Sequence, residues 1–539
     1  GVTNRFDVSD DPTGTIKTND IIRVIGNLNL SGVNVLKFSL LDGLPGNGVY
    51  TLITYSGTLS GRLANFSLSG ISGTLTNPPG EIAIIVNAVR PPGTLTWTGN
   101  GGNNFWDTGT TVAWNNEGVA DRFYFGDDVV FNNTGSTNLT ATLVGDQTPA
   151  SVTVDATVNY TLTGAGKLTG TTGLTKTNSG TLTILTTNDF TGPTIIGGGA
   201  LSVSRLANGG AASSIGAASS NTTDLVFSNS RLSYTGNSVS TDRGATFNGS
   251  ANLDITSGGT TLTWNGVFVG GGSLIKSGAG QLTLSGENTF SSGTVLSNGT
   301  LALFGPSGGA TITANNYALG SGSVTLYGGT LKLFGGDLGD AGAGYGTFSR
   351  PIVVPAGATA SLLTPARYTM SSTLTGGGTL NLEVNYVRGT MNGNWSAFTG
   401  TINITAQTTP AEFRVANSSG YAGATLFVND NAVITQSGSG GLMEIGALGG
   451  TSGGQVGPGN STSSGRSFRI GWNNQNATFA GQILADGANT VTKVGTGNWT
   501  LTGVNTYNGG TIVDGGTLTV NNTSGSGTGS GAVTVNTSA

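Results

Sequence analysis

The sequence predicts an all-β chain wound into an elongated β-helix, or β-solenoid, and three observations carry that expectation. The composition is β-forming and turn-rich without being helical. A thirty-residue pattern recurs three times without a gap. Each copy breaks into short stretches that alternate apolar and polar residues between Gly- and Asn-bearing turns.

The 539 residues include 94 Gly, no Cys and no His, only 9% are charged, and the net charge is −5. Disordered chains combine low hydrophobicity with few β-branched residues, whereas 36% of this chain is hydrophobic. Its polar positions hold Thr, Ser and Asn rather than the Glu and Lys of helical surfaces. A chain this long does not close on one compact core, so it is either several domains or one repeat array. The longest aliphatic run, Ile82–Val86, is far too short to span a bilayer. The absence of Cys excludes disulfides. No basic stripe offers itself to phosphate backbones or lipid headgroups, so neither nucleic acid nor membrane insertion is expected.

The repeat occupies residues 174–203, 274–303 and 491–520, and seven positions are identical in every copy. They are a Lys (Lys176, Lys276, Lys493), a Gly (Gly180, Gly280, Gly497) and a Thr (Thr183, Thr283, Thr500). An Asn (Asn188, Asn288, Asn505), a second Thr (Thr194, Thr294, Thr511), a second Gly (Gly199, Gly299, Gly516) and a Leu (Leu201, Leu301, Leu518) follow. An aromatic residue also keeps its place as Phe190, Phe290 and Tyr507. In the first copy Leu182 and Ile184 alternate with Thr, Thr194–Ile196 is β-branched, and Leu201 and Val203 alternate again. Three such strands read as about one coil of a three-sided solenoid, with Gly and Asn at the corners because they tolerate positive φ. A single coil cannot bury its apolar face, so coils must stack. Degenerate coils extend the pattern at Phe398–Ile402 and Phe479–Ile483.

These copies resemble the strand repeat of autotransporter passengers, which reads roughly L-T-K-x-G-x-G-T-L-T-L-x-G-x-N-x-Y-x-G-G-T-x-V-x-x-G-T-L-x-V. Residues 491–520 follow it nearly throughout; the first copy departs at Pro193 and the second at Ser292 and Asn298. The run from Leu95 to Phe131, with Tyr160–Gly164, resembles the segment that precedes such repeats in large Gly-rich passenger-like proteins. The resemblance implies a right-handed β-helix exposed on or secreted from a bacterial cell. Proteins of this kind include adhesins, biofilm components and some enzymes, so the role does not follow from the fold. With no His, no Cys and only 26 acidic residues, a structural or adhesive surface or matrix scaffold is expected rather than an enzyme.

Pro91-Pro92 marks a boundary. Residues 1–92 form a strand-rich end segment, with strands expected at Ile21–Ile25, Val35–Leu41, Val49–Thr54 and Ile82–Val86. Residues 93–165 form a Trp-containing segment, and residues 166–539 the main solenoid, with surface loops expected near Gly335–Gly346 and Gly449–Gly465.

Without His or Cys, serine or cysteine triads and zinc sites are excluded, and no phosphate-binding loop motif is present. No catalytic, cofactor-binding or metal residue is assigned. Carboxylates are the remaining chemistry. Asp7, Asp10 and Asp11 could bind calcium, but an Asp-rich turn is the simpler reading. Asp127 and Asp128 read as turn caps. Trp97, Trp106 and Trp114 plug a core unless they are exposed, in which case they could stack on sugars. The repeated Lys reads as a solvated residue that discourages sideways strand pairing. The competing functions are a polysaccharide-active enzyme, which needs converging carboxylates, and a carbohydrate-binding surface module. The partners expected are a further copy of the chain, joined head to tail into a fibre because neither end carries a polar cap, and a surface polysaccharide. At ~22 residues per coil and ~4.8 Å per rung, such a solenoid is on the order of 100 Å long. Small-angle scattering should therefore give an extended distance distribution rather than that of a sphere of equal mass.

Overall fold

In the computed structural model, the described residues are 3–32, 34–41, 45, 48–69, 71, 73–86, 90–99, 102–133, 137–303, 316–333, 346–364, 368–384, 389–406, 411–416, 420–436, 441–457, 465–485 and 487–537. Among them the regular structure is short β-strands, with two single-turn 3-10 segments and no α-helix. Nearly all neighbouring strands pair in parallel, each with the equivalent strand of the next coil, which is a parallel β-solenoid. The chain divides into two compact units, Gly1–Asn248 and Gly249–Ala539.

The first unit opens with a small solenoid of its own. Thr3–Val8, Asn34–Leu40 and Phe66–Ser69 pair in parallel, as do Ile22–Val24 with Gly48–Tyr55 and Leu28–Leu30 with Leu59–Gly61. Inward residues Phe6, Val8, Leu36, Phe38, Tyr50 and Leu52 form its core with Ile82 and Ile84. Glu81–Val86 closes it by running antiparallel to Gly48–Tyr55. All four strands expected before Pro91 are present, within two residues at each end.

A second stack starts at Thr94–Trp97, which pairs in parallel with Asp128–Asn132, followed by Ser151–Asp155, Leu174–Thr177, Thr194–Ile196 and Leu225–Phe227. Its other long face runs Phe105–Trp106, Thr140–Leu143, Tyr160–Gly164, Thr181–Ile184, Ala200–Val203 and Ser230–Tyr234. The free edge of Thr94–Trp97 is covered by a hairpin, Val112–Asn116 with Val119–Arg122, lying antiparallel on it. Glu117 (φ 50°) and Gly118 (φ 94°) form its two-residue turn, as the twist of a tight hairpin requires. This cap lies within the chain, where the sequence reading looked only at the two ends.

In the second unit, Ser250–Ile255, Ser273–Ser277, Thr294–Leu296, Val324–Leu326, Ile352–Val354 and Leu374–Gly376 stack on one face. A second face runs from Thr261–Trp264 through successive coils to Leu442–Gly450. That last, nine-residue strand then supports two strands at once, Ser467–Ile470 and Ala477–Phe479, and each begins its own column. The loop expected near Gly449–Gly465 is corrected at its beginning, and residues 458–464 lie outside the described residues. Gly449 and Gly450 end this buried strand, and Gln455–Val456 pairs in the wall. A Cβ on Gly450 would meet the Val428 carbonyl and the Phe479 ring, so Gly marks close packing there rather than a loop. The other expected loop, 335–346, lies outside the described residues except Gly346, which opens a strand.

The repeat copy also corrects the coil count. Each copy holds four strands, not three: Leu174–Thr177 and Thr181–Ile184, then Thr194–Ile196 and Ala200–Val203 stacked directly on them. Leu174 lies against Thr194 and Leu182 against Leu201, and the same pairing joins Val491 to Thr511 and Trp499 to Leu518. The last strand falls on an occupied face because the intervening chain turns through only one full coil. The repeated Gly sits where one coil's corner meets the next. Gly299 has φ +68°, and a Cβ there would lie 2.5 Å from Gly280 O and also on Gly278 O. Gly357, at φ +80°, has nothing within 4 Å. Gly357→Ala should therefore cost about 1 kcal/mol of stability for its backbone conformation alone. Gly299→Ala should cost at least about twice that, because the coils must move apart. Urea unfolding of the two variants checks the difference.

Candidate functional site

The residues that repeat converge on the corners of the solenoid, and the Lys is the first of them. Lys176, Lys276 and Lys493 are 0%, 0% and 1% exposed, so the expectation of solvated surface lysines is overturned. The alternation explains why. Lys176 follows Leu174 by two residues and faces the same way, inward. Its ammonium bends to the corner and donates to the carbonyls of Thr177 and Asn178. Lys276 Nζ reaches Ser277 O at 2.6 Å, Gly278 O at 2.9 Å and, on the following coil, Asn298 O at 3.2 Å. Lys493 does the same with Val494 O, Gly495 O and Gly515 O at 2.7, 3.0 and 3.0 Å. Three donors meet three corner carbonyls, which is what an ammonium supplies. Burial pushes all three amines below the usual lysine value, Lys276 to about 8, with Asp254 opposing the shift there and Asp155 at Lys176.

The repeated Asn joins three coils. Asn288 Oδ1 accepts from Phe268 N–H at 2.7 Å, and its Nδ2 donates to Ala318 O at 2.6 Å. Asn188 joins Leu168 N–H to Ser214 O, and Asn505 joins Ile483 N–H to Gly527 O, in the same way. All three side chains are buried. The second repeated Thr donates to the same neighbouring turn, from Thr194 to Ile215 O, Thr294 to Leu319 O and Thr511 to Thr528 O. Phe190, Phe290 and Tyr507 are fully buried, each under a left-handed Gly of the next coil, Gly216, Gly320 or Gly529. Those glycines escaped the sequence reading. The signal was present in Gly320-Ser-Gly-Ser-Val-Thr-Leu326 and Gly529-Ser-Gly-Ala-Val-Thr-Val535.

The other residues singled out are structural. Trp97, Trp106 and Trp114 are at most 1% exposed and pack edge to face with Phe123 and Phe131. They fill the first coil of the second stack and present no face to a sugar. Asp127 is fully buried. It accepts two bonds from Arg90, at 2.7 and 2.9 Å, and one each from Gly93 N–H and Tyr124 N–H. Arg90 also pairs with Asp121 at 2.6 Å, so one guanidinium ties the Pro91-Pro92 segment to the capping hairpin and the first coil. Asp128 accepts from Ser151 on the next coil. Asp11 accepts from the Thr13 hydroxyl and the Ile16, Lys17 and Thr13 N–H groups, which hold its carboxyl below the usual range. Asp10 pairs with Lys17, and Asp7 N–H donates to Asp20. This is an Asp-rich turn. Among the described residues no three carboxylates gather as a cation-binding group.

A family model, the passenger-associated-transport-repeat, matches residues 174–203, 274–303 and 491–520. Three segments of the solenoid match this repeat. The chain is also similar to a protein of Brucella suis biovar 1 (strain 1330) named adhesin BmaC autotransporter, at 31% identity over 372 residues. The match covers 64% of this chain and 10% of that protein, so the chain spans a small part of its relative's length. No solved structure matches.

The recurring polar residues of the repeat thus tie its corners, and the Asn and second Thr of each copy tie coil to coil. Lys276→Met and Asn288→Ala should each lower stability by about 2 kcal/mol, because each leaves buried backbone groups unmet. The Lys tie has a pH signature. Between pH 8 and 10.5 the unfolded chain keeps a proton that folded Lys276 has lost, so this residue's contribution to stability rises with pH. The melting-temperature gap between the native chain and Lys276→Met is therefore expected to widen from pH 7 to pH 10.

Proposed function

We propose that this chain is a length of adhesive passenger scaffold held outside a bacterial cell, and that it performs no catalysis. The observation that carries this reading is the use of the repeat's polar residues. The Asn and the second Thr of every copy are buried and hold one coil to the next, and the buried Lys meets corner carbonyls, across coils at Lys276 and Lys493. What the walls turn outward is a ladder of small hydroxyls, such as Thr140, Thr161, Thr183, Ser202 and Ser233 in register. Such a wall is polar and nearly uncharged. The relative's name, an adhesin, supports the same reading.

We extend the reading to end-to-end joining. In the last coil Val520, Val533 and Val535 are 46%, 51% and 66% exposed, so their strands present apolar side chains and open edges. In the small solenoid of the first unit, Ile22, Val24, Leu28, Leu30 and Phe66 line a mouth of about 240 Å³. Each surface suits a neighbouring coil, supplied either by more of the same polypeptide or by another copy.

Beads coated with the chain should adhere to a cultured cell layer or a polysaccharide-coated surface better than beads coated with an unrelated β-protein; equal adhesion counts against the adhesive reading. Sedimentation should show growth into long species with concentration, abolished by Val533→Asp with Val535→Asp. A chain that stays monomeric at high concentration excludes non-covalent joining.

A further inference from the structure

Trp472 differs from every other tryptophan of the chain. Trp97, Trp106, Trp114, Trp264, Trp395 and Trp499 are all at most 2% exposed, whereas Trp472 is 40% exposed. It stands at the corner after Ser467–Ile470, where Gly471 (φ +121°) turns the chain outward. Its loop is anchored, since Gly471 N–H donates to Ile445 O, Asn473 N–H to Gly446 O, and the Asn473 amide to Thr425 Oγ1 at 3.0 Å. The indole is therefore presented on a fixed support.

Arg469 lies beside it, with its guanidinium carbon 4.8 Å from the indole centroid. Elsewhere in the chain Arg90, Arg243 and Arg414 spend their donors on carboxylates or carbonyls. The Arg469 side chain has no hydrogen bond or ion pair to any described residue, so its planar fork of N–H donors faces solvent. Glu444 is its register neighbour on the preceding coil and Thr492 on the following one. Ser467, two residues before Arg469 on the same strand, shares a hydrogen bond with Thr490 of the following coil, and its register neighbour on the preceding coil is Leu442, 39% exposed.

We propose that Trp472 and Arg469 form a glycan-binding subsite for a carboxylate-bearing pyranose, of the uronic or sialic acid type. The exposed indole packs against the C–H face of the ring. Arg469, held by its stacking on the indole, takes the sugar carboxylate through two parallel N–H···O bonds. Glu444 and Thr492, one coil to each side, accept from and donate to ring hydroxyls. A protein hot spot would also use Trp and Arg, but it is enclosed by a water-excluding ring, whereas Arg469 here is flanked by the polar Glu444 and Thr492. The subsite rests on the adhesive reading and gives it a ligand class.

The test uses the full chain and the exposure of one tryptophan in seven. Acrylamide quenches exposed indoles, so the quenchable fluorescence belongs to Trp472, and the Trp472→Phe variant establishes that fraction. Trigalacturonic acid and 3′-sialyllactose are the acidic probes, with maltotriose and lactose as neutral counterparts. Acidic probes are expected to protect the quenchable fraction and neutral ones to do so at least about tenfold less well. Arg469→Lys, which keeps the charge and loses the fork, should weaken acidic binding by about tenfold. Trp472→Ala should abolish retention on an immobilised acidic glycan, with an unchanged circular dichroism spectrum showing that the fold is kept. Equal protection by acidic and neutral probes, no protection by any, or undiminished retention of Trp472→Ala overturns the proposal. Coated beads that still adhere while the subsite fails would overturn the subsite alone.

Discussion

A strand inside one of these sheets satisfies its backbone through the ladder, but the residues that turn the chain from one face to the next carry carbonyl oxygens that no ladder reaches, and each coil depends on how those oxygens are met. Water cannot serve where coils are stacked one rung apart. The chain instead places a buried ammonium at the corner and lets it donate to several carbonyls at once, as Lys276 and Lys493 do across two coils. An uncompensated charge in the interior is costly, and the depressed lysine values record that cost. It is tolerated because the alternative is several unmet carbonyls for every corner. Asn288 solves the companion problem, where an N–H of one coil and a carbonyl of the next point at the same gap.

Much of the architecture was legible in the residues. Alternation located the strands before Pro91, and the repeated Gly identified corners, as the left-handed Gly199, Gly299 and Gly516 show, whereas the repeated Asn serves through its side-chain bonds and not through positive φ. Two errors have a common physical origin. Lys was read by its charge and not by its parity with Leu174, and Gly449 and Gly450 were read by their flexibility and not by the small space that only Gly fills. In both cases packing outweighed a residue's usual habit. The exposed Trp472 was not separable from the buried tryptophans by sequence, since exposure follows from the turn at Gly471 and not from the strand pattern around it.

The capping hairpin at Val112–Arg122 and the guanidinium of Arg90 belong together. A stack of parallel strands has to begin somewhere, and its first edge invites pairing. Here a hairpin lies antiparallel on that edge, and Arg90 binds the hairpin's Asp121 and the first coil's Asp127 with one planar group. Arg90 stands just before Pro91-Pro92 and its two carboxylate partners after it, so one group pins the boundary segment to the stack that follows. The aromatic plug of Trp97, Trp106 and Trp114 fills the volume beneath the hairpin.

The asparagine ties also set how such a wall bears mechanical load. A pull along the stacking direction strains every rung of the ladder in series, so the weakest rung yields first. Asn288 holds a coil below through Phe268 and a coil above through Ala318, and thus transmits tension past the rung it sits in. Asn188 and Asn505 repeat that bridge elsewhere in the chain. At those coils, parting one interface requires breaking bonds that are anchored in the neighbouring one, so rupture there is cooperative over several coils and no longer proceeds one rung at a time.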